Sequence, residues 1–181
     1  MLEKNERIAR RLVHKGAIID LYEDTMKLPD GREEFYDFIK HKGAAAVVPV
    51  LPDGRILMVH QYRNAVDSYT PEIPAGGLNS IDEPTLDAAY RELEEETGYY
   101  AEKSDLEPLI SLYTTIAFCN EKIDIYVAHH LKKTEQRLDD DEYIEVEAFT
   151  MEELTTMVFE NKIADAKSIA ALMAYRAKYC E

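Results

Sequence analysis

Between Gly77 and Gly98 the chain concentrates side chains that can do chemistry: Glu83, Arg91, Glu92, Glu95 and Glu96. Carboxylates set this close repel one another, so a stable fold needs a reason to gather them. The usual reason is a hard divalent cation, which takes oxygen ligands.

The residues around these acids build the helix that positions them. Pro84 suits a first helical position, where its missing N–H costs nothing. Leu86, Ala89, Tyr90 and Leu93 recur at i, i+3, i+4 and i+7 and form one apolar face. Gly98 suits a left-handed stop. At about 100° per residue, Glu92 and Glu96 share an edge one turn apart. Glu95 stands on the same side, Arg91 flanks it, and Glu94 and Asp87 point towards water.

The rest of the chain reads as strands, the acidic helix, more strands, then two helices. Leu-Pro-Asp-Gly-Arg occurs at 28–32 and again at 51–55, each copy between β-favouring stretches. Asp-Gly is a strong hairpin turn, so two independent hairpins are expected, with Arg32 and Arg55 as turn residues. The first, roughly residues 16–40, belongs to an N-terminal β element spanning 1–42; the main domain spans 43–181. Residues 43–62 hold two central strands, and 44–50 is apolar enough to be buried on both faces. Further strands are expected over 109–115, 122–129 and 143–149. Thr150 followed by Glu153 opens a helix through a capping box. A last helix over 166–179 packs through Ile169, Leu172, Met173 and Tyr175.

Composition narrows the class. The 181 residues are 46% apolar, enough for a core, and no apolar run is long enough to span a bilayer. The N-terminus is charged and polar, without the pattern of a secretory signal. Cys119 and Cys180 are the only cysteines, too few for a disulfide framework or a zinc pattern, which points to a reduced, cytoplasmic setting. A formal charge of −15 argues against wrapping nucleic acid. It permits a phosphorylated small molecule, because bound cations invert the local charge of an acidic site.

The acidic run matches the Nudix box at every fixed position: Gly77, Glu83, Arg91-Glu92, an aliphatic Leu93, Glu95-Glu96 and Gly98. A chance match of seven fixed letters is on the order of 10⁻⁸ per starting position. Strict spacing selects Gly77, and a one-residue insertion anchored on Gly76 is the alternative. The chain also resembles the ADP-ribose pyrophosphatase branch of that family. Gln61-Tyr62-Arg63, Glu72-Ile73-Pro74-Ala75-Gly76 and the acidic stretch Asp139-Asp140-Asp141-Glu142 stand where that branch carries similar segments. One run departs: Ile116-Ala117 replaces the branch's usual Pro-Gly after the post-box strand. The departure bears on the substrate, not on the hydrolytic chemistry.

The resemblance implies an α/β/α sandwich with a mixed sheet, plus an antiparallel N-terminal extension often exchanged across a homodimer. It implies Mg²⁺, with Mn²⁺ as a substitute, held by Glu92 and Glu96. Glu95 shares metal or water, and a backbone carbonyl at Ala75 or Gly76 completes the shell. Arg91 orients the glutamates, and Glu83 either ties the loop to the helix or reaches a metal through water. The general base is open between Glu142, Asp140 and Glu95. Arg63 is the first choice for a phosphate clamp. From the residues themselves, His60 reads as structural; Phe35, Tyr36 and Tyr113 could stack an adenine ring but read as core aromatics and are left out of the site. The implied substrate is a nucleoside diphosphate-linked small molecule, foremost ADP-ribose. The alternatives are another nucleotide sugar or dinucleotide, a non-catalytic nucleotide sensor, and an acidic protein-interaction module.

Overall fold

The computed structural model describes residues 3–140 and 142–180. The chain forms two compact units: residues up to Gly43 together with Tyr113–Lys122, and Ala44–Leu112 together with the chain from Ile123 onward.

The first unit contains a three-stranded antiparallel sheet of β1 (Glu6–Lys15), β2 (Asp20–Lys27) and β3 (Glu33–Lys40), with β2 in the middle. The first Leu-Pro-Asp-Gly-Arg turns β2 into β3. Leu28 N–H donates to Arg32 O at 2.8 Å, and Gly31 takes the left-handed φ of 87°. Arg32 is tied to its own turn through Asp30. The expected hairpin thus exists, but the structure adds a strand before it. Every residue of β1 is exposed, so its sequence lacks the apolar alternation that marks a strand. What fixes β1 is a charge: Arg10 grips Asp24 through two 2.6 Å bonds and lies 3.8 Å from the Phe38 ring centroid. Phe35, Tyr36 and Tyr113 are not core residues; they are 69%, 46% and 54% exposed. The single-layer sheet has no second layer of its own to cover Phe35 and Tyr36, and Tyr113 stands at the end of a strand.

In chain order the second unit holds β4 (Ala44–Pro49), β5 (Ile56–Arg63), β6 (Ser68–Glu72), β7 (Ala75–Gly77), α1 (Thr85–Thr97), β8 (Tyr99–Tyr100), β9 (Leu106–Tyr113), β10 (Lys122–Ala128), β11 (Lys132–Lys133), β12 (Ile144–Phe149), α2 (Met151–Phe159) and α3 (Ala166–Tyr179). β4 is buried throughout, as its run of apolar residues requires. Its residues alternate between two cores. Ala44, Ala46 and Val48 meet Leu154 of α2 and Leu172 of α3, whereas Ala45 and Val47 meet Ala89 and Leu93 of α1. A strand buried on both faces needs a layer on each, and the helices supply them. β4 pairs parallel with β10 and antiparallel with β7, in the order β7-β4-β10-β9; β12-β5-β6 form a second, antiparallel sheet. The unit is therefore the expected α/β/α sandwich with a mixed sheet.

The second Leu-Pro-Asp-Gly-Arg makes the same turn as the first, with Leu51 N–H on Arg55 O at 2.8 Å and Gly54 at φ 86°. It does not make a hairpin. Apart from one bridge between Val50 and Ile56, β4 and β5 enter different sheets. Burial on both faces of β4 outweighs the local pairing that the turn invites. Pro84 is also corrected by one position: it caps α1 at φ −61° and ψ 127° instead of opening its first turn. Thr150 and Glu153 form the capping box of α2, and α3 spans the expected residues. Among the described residues, no helix is long and apolar enough to cross a membrane.

Candidate active site

α1 buries Ala88, Ala89 and Leu93, and this orientation brings the edge carrying Glu92 and Glu96 under cover. The two carboxylates face the strand segment that follows β6. Glu96 Oε2 accepts the Ala75 N–H at 2.9 Å. Glu92 fills the space in front of Gly76: a Cβ there would lie 1.9 Å from its Oε1. A Cβ at Gly77 meets nothing within 4 Å. The glycine whose missing side chain the site uses is thus Gly76, although box spacing favours Gly77. An Ala at 76 must displace the Glu92 carboxylate. Gly76→Ala is expected to weaken Mn²⁺ binding about tenfold or more, read by titration; unchanged affinity contradicts this placement.

Arg91 organises the exposed side of the cluster. Its Nη1 donates to Glu92 at 2.6 Å and to Glu95 at 3.1 Å, and its Nη2 donates to Gly77 O at 3.2 Å. Glu83 lies 3.8 Å from Arg91 Nε and accepts the Asn79 N–H, which ties the loop to the helix. Glu94 does not point freely to water, because it pairs with Arg137, 43 residues away. Among the described residues, no three His, Cys, Asp or Glu side chains meet as a ready metal shell. Glu92 and Glu95 share Arg91, while Glu96 is drawn to the Ala75 amide.

Burial is the dominant electrostatic fact. It pushes the Glu92 carboxyl up to about 7 against the pull of Arg91. It pushes Glu96 up to about 8, with Glu92 and then Glu142 adding like-charge repulsion and Ala75 N–H and Lys167 opposing. Two buried acids that resist ionisation, an oxygen-only donor set and a glycine that lets the Glu92 carboxylate close on the backbone all fit a small, hard divalent cation.

A pH dependence follows. An acid whose folded pKa stands above its unfolded value binds more protons folded than unfolded between the two values. Stability therefore falls as pH rises through that window. Here the window runs from the ordinary 4.5 to about 8. In EDTA the folded state is expected to lose stability from pH 5 to pH 8, by on the order of a few kcal/mol, read as a falling melting temperature. Mg²⁺ should restore stability more at pH 8 than at pH 5, since it binds the ionised carboxylates. Thermal melts that are flat with pH and indifferent to Mg²⁺ contradict this.

The acidic stretch comes close to the same helix. Thr134 N–H donates to Gly98 O at 2.8 Å, Arg137 N–H to Glu95 O at 3.0 Å, and Gln136 Nε2 to Glu96 O at 2.6 Å. This anchoring, invisible in the sequence pattern, brings Glu142 within electrostatic reach of both Glu92 and Glu96. Glu142 also lines a cavity of about 690 Å³ shared with His60, Tyr69, Tyr143, Glu145 and Glu147, a volume typical of small-molecule sites. Asp140 is exposed, and Asp141 lies outside the described residues. His60 Nε2 is buried 3.4 Å from Glu147 Oε2 without hydrogen-bond geometry.

Arg63 is committed within the protein. Its Nε and Nη2 donate to Glu72 at 2.8 and 2.7 Å. Burial alone would raise the Glu72 carboxyl, but Arg63, Lys167 and Thr70 outweigh it and hold it at about 2. Sequence reading missed Glu72 and Lys167 as partners because 95 residues separate them.

A family model described as NUDIX domain matches residues 40–172. Among curated relatives, the ADP-ribose pyrophosphatase of Bacillus subtilis (strain 168) is 37% identical, over 97% of this chain and 94% of its own length. The methanol dehydrogenase activator of Bacillus methanolicus is 36% identical, over 94% and 92%. The ADP-ribose pyrophosphatase of Mycobacterium tuberculosis is 31% identical, over 95% and 83%. A crystal structure of an ADP compounds hydrolase superposes with a TM-score of 0.86 at 21% identity, covering 98% of this chain and 95% of that one, which establishes the shared fold.

Proposed function

The chain belongs to the NUDIX family as a pyrophosphohydrolase of nucleoside diphosphate compounds, and on that basis we propose that it hydrolyses ADP-ribose to AMP and ribose 5-phosphate with Mg²⁺ as cofactor. The observation that carries the reading is the buried Glu92–Glu96 pair facing the Ala75–Gly76 peptide.

Glu92 and Glu96 would hold the cation, with Glu95 and the backbone at Ala75 or Gly76 contributing. Mg²⁺ bound there supplies charge neutralisation on the diphosphate oxygens and a lowered pKa for bound water. The chain's own residues do the rest. Arg91 fixes the carboxylate orientations through charge-assisted bonds. Glu142, which lines the cavity and adds like-charge repulsion to Glu92 and Glu96, takes the proton of the attacking water. Water adds to one phosphorus, the bridging P–O bond breaks, and each phosphate leaves as a monoester.

Ile116-Ala117 favours a second reading, a pyrophosphatase for another nucleotide sugar or a dinucleotide. A panel of ADP-ribose, nucleotide sugars and dinucleotides under Mg²⁺ and Mn²⁺ separates the two. The first reading expects ADP-ribose to give the highest kcat/KM. Preference for another diphosphate favours the second, and no turnover of any compound contradicts both. A cytoplasmic homodimer with exchanged N-terminal strands completes the proposal.

A further inference from the structure

The first turn of α3 lies outside the box, yet it grips the strand segment that faces the box. Asp165 caps the helix and accepts both Ser168 N–H at 2.9 Å and Ser168 Oγ–H at 2.6 Å. With its proton committed there, Ser168 Oγ accepts the Ile73 N–H at 2.9 Å, and Ser168 and Ile73 are both fully buried. Lys167, 8% exposed, reaches Glu72 Oε2 and lies 3.0 Å from Asp165 Oδ2. Thr70 and Arg63 hold the Glu72 carboxylate from the other side. Two residues beyond Ile73, the Ala75 N–H meets Glu96.

Between these anchors the chain has little slack. Pro74 fixes its own φ and restricts Ile73, and its carbonyl accepts Val47 N–H at 3.0 Å. A shift at Glu72 or Ile73 therefore carries through to Ala75 and Gly76. Burying Lys167 and Glu72 is a costly way to gain stability, since well-packed apolar residues of similar volume often do as well or better. What the ionic arrangement supplies is a fixed position for the segment.

We infer that the first turn of α3, through Lys167 and Ser168, is a positioning clamp that sets the Ala75–Gly76 peptide against Glu92 and Glu96. The inference rests on the proposed cation site and adds to it two residues about 70 positions beyond the box. Neither touches substrate; both act through Glu72 and Ile73.

The test uses Lys167→Met and Ser168→Ala in the full chain. Mn²⁺ alone is titrated by electron paramagnetic resonance, and kcat and KM for ADP-ribose are measured with Mg²⁺. Circular dichroism checks the fold at the assay temperature. Outer partners of metal sites typically contribute 10- to 100-fold to affinity or activity. Lys167→Met is expected to weaken Mn²⁺ binding and lower kcat within that range, with KM within about threefold. Ser168→Ala, a smaller change that leaves the Ile73 N–H unpaired, is expected to move both in the same direction by about tenfold, and it carries the test if Lys167→Met does not fold. Folded variants with wild-type Mn²⁺ affinity and wild-type kcat overturn the clamp, even where the melting temperature drops. If wild-type protein neither binds Mn²⁺ nor cleaves ADP-ribose, the functional reading falls and takes the clamp with it.

Discussion

Glu96→Gln should leave a folded protein with almost no turnover. Gln is nearly isosteric, and its carbonyl oxygen can still accept the Ala75 N–H that Glu96 accepts at 2.9 Å. The substitution also removes a buried acid whose carboxyl stands at about 8, so metal-free stability at pH 8 should hold or rise. What is lost is one of the two buried carboxylates that would hold the cation. Cation assistance contributes several kcal/mol to such a reaction, and each ~1.4 kcal/mol is tenfold, so a loss of roughly 10³-fold in kcat is expected. Near-wild-type turnover in a folded Glu96→Gln protein removes the basis of the assignment.

The second large effect concerns the base. Glu142→Ala is expected to slow kcat roughly 10²-fold or more, with the Mn²⁺ affinity little changed. Three candidates were open in the sequence, and their surroundings differ. Asp140 is exposed, and Glu95 is bound to Arg91 Nη1 at 3.1 Å. Glu142 lines the cavity and adds like-charge repulsion to both members of the buried pair. Glu95→Gln and Asp140→Asn, assayed beside it, complete the comparison. An unchanged rate in Glu142→Ala transfers the role to whichever of those two variants collapses.

Much of this site could be read before folding because its information is local. The box lies on one helix, where the apolar period of Ala89 and Leu93 fixes which edge carries Glu92 and Glu96. α3 was legible for the same reason. What stayed hidden depends on separation or on patterns that carry no period. β1 is wholly exposed and rich in charge, so nothing in it alternates. Choosing Gly76 over Gly77 required knowing where the Glu92 carboxylate sits. Glu94 reads as solvated until Arg137 arrives from 43 residues away. Arg63 reads as a free end-of-strand guanidinium until β6 places Glu72 beside it. Ion pairs between separate segments leave no mark on either segment alone.

The account stands most directly on product analysis. Purified protein incubated with ADP-ribose and Mg²⁺ should release AMP and ribose 5-phosphate in equal amounts, and excess EDTA should stop the release. Intact ADP-ribose in the presence of Mg²⁺, or cleavage that continues unchanged in EDTA, contradicts it.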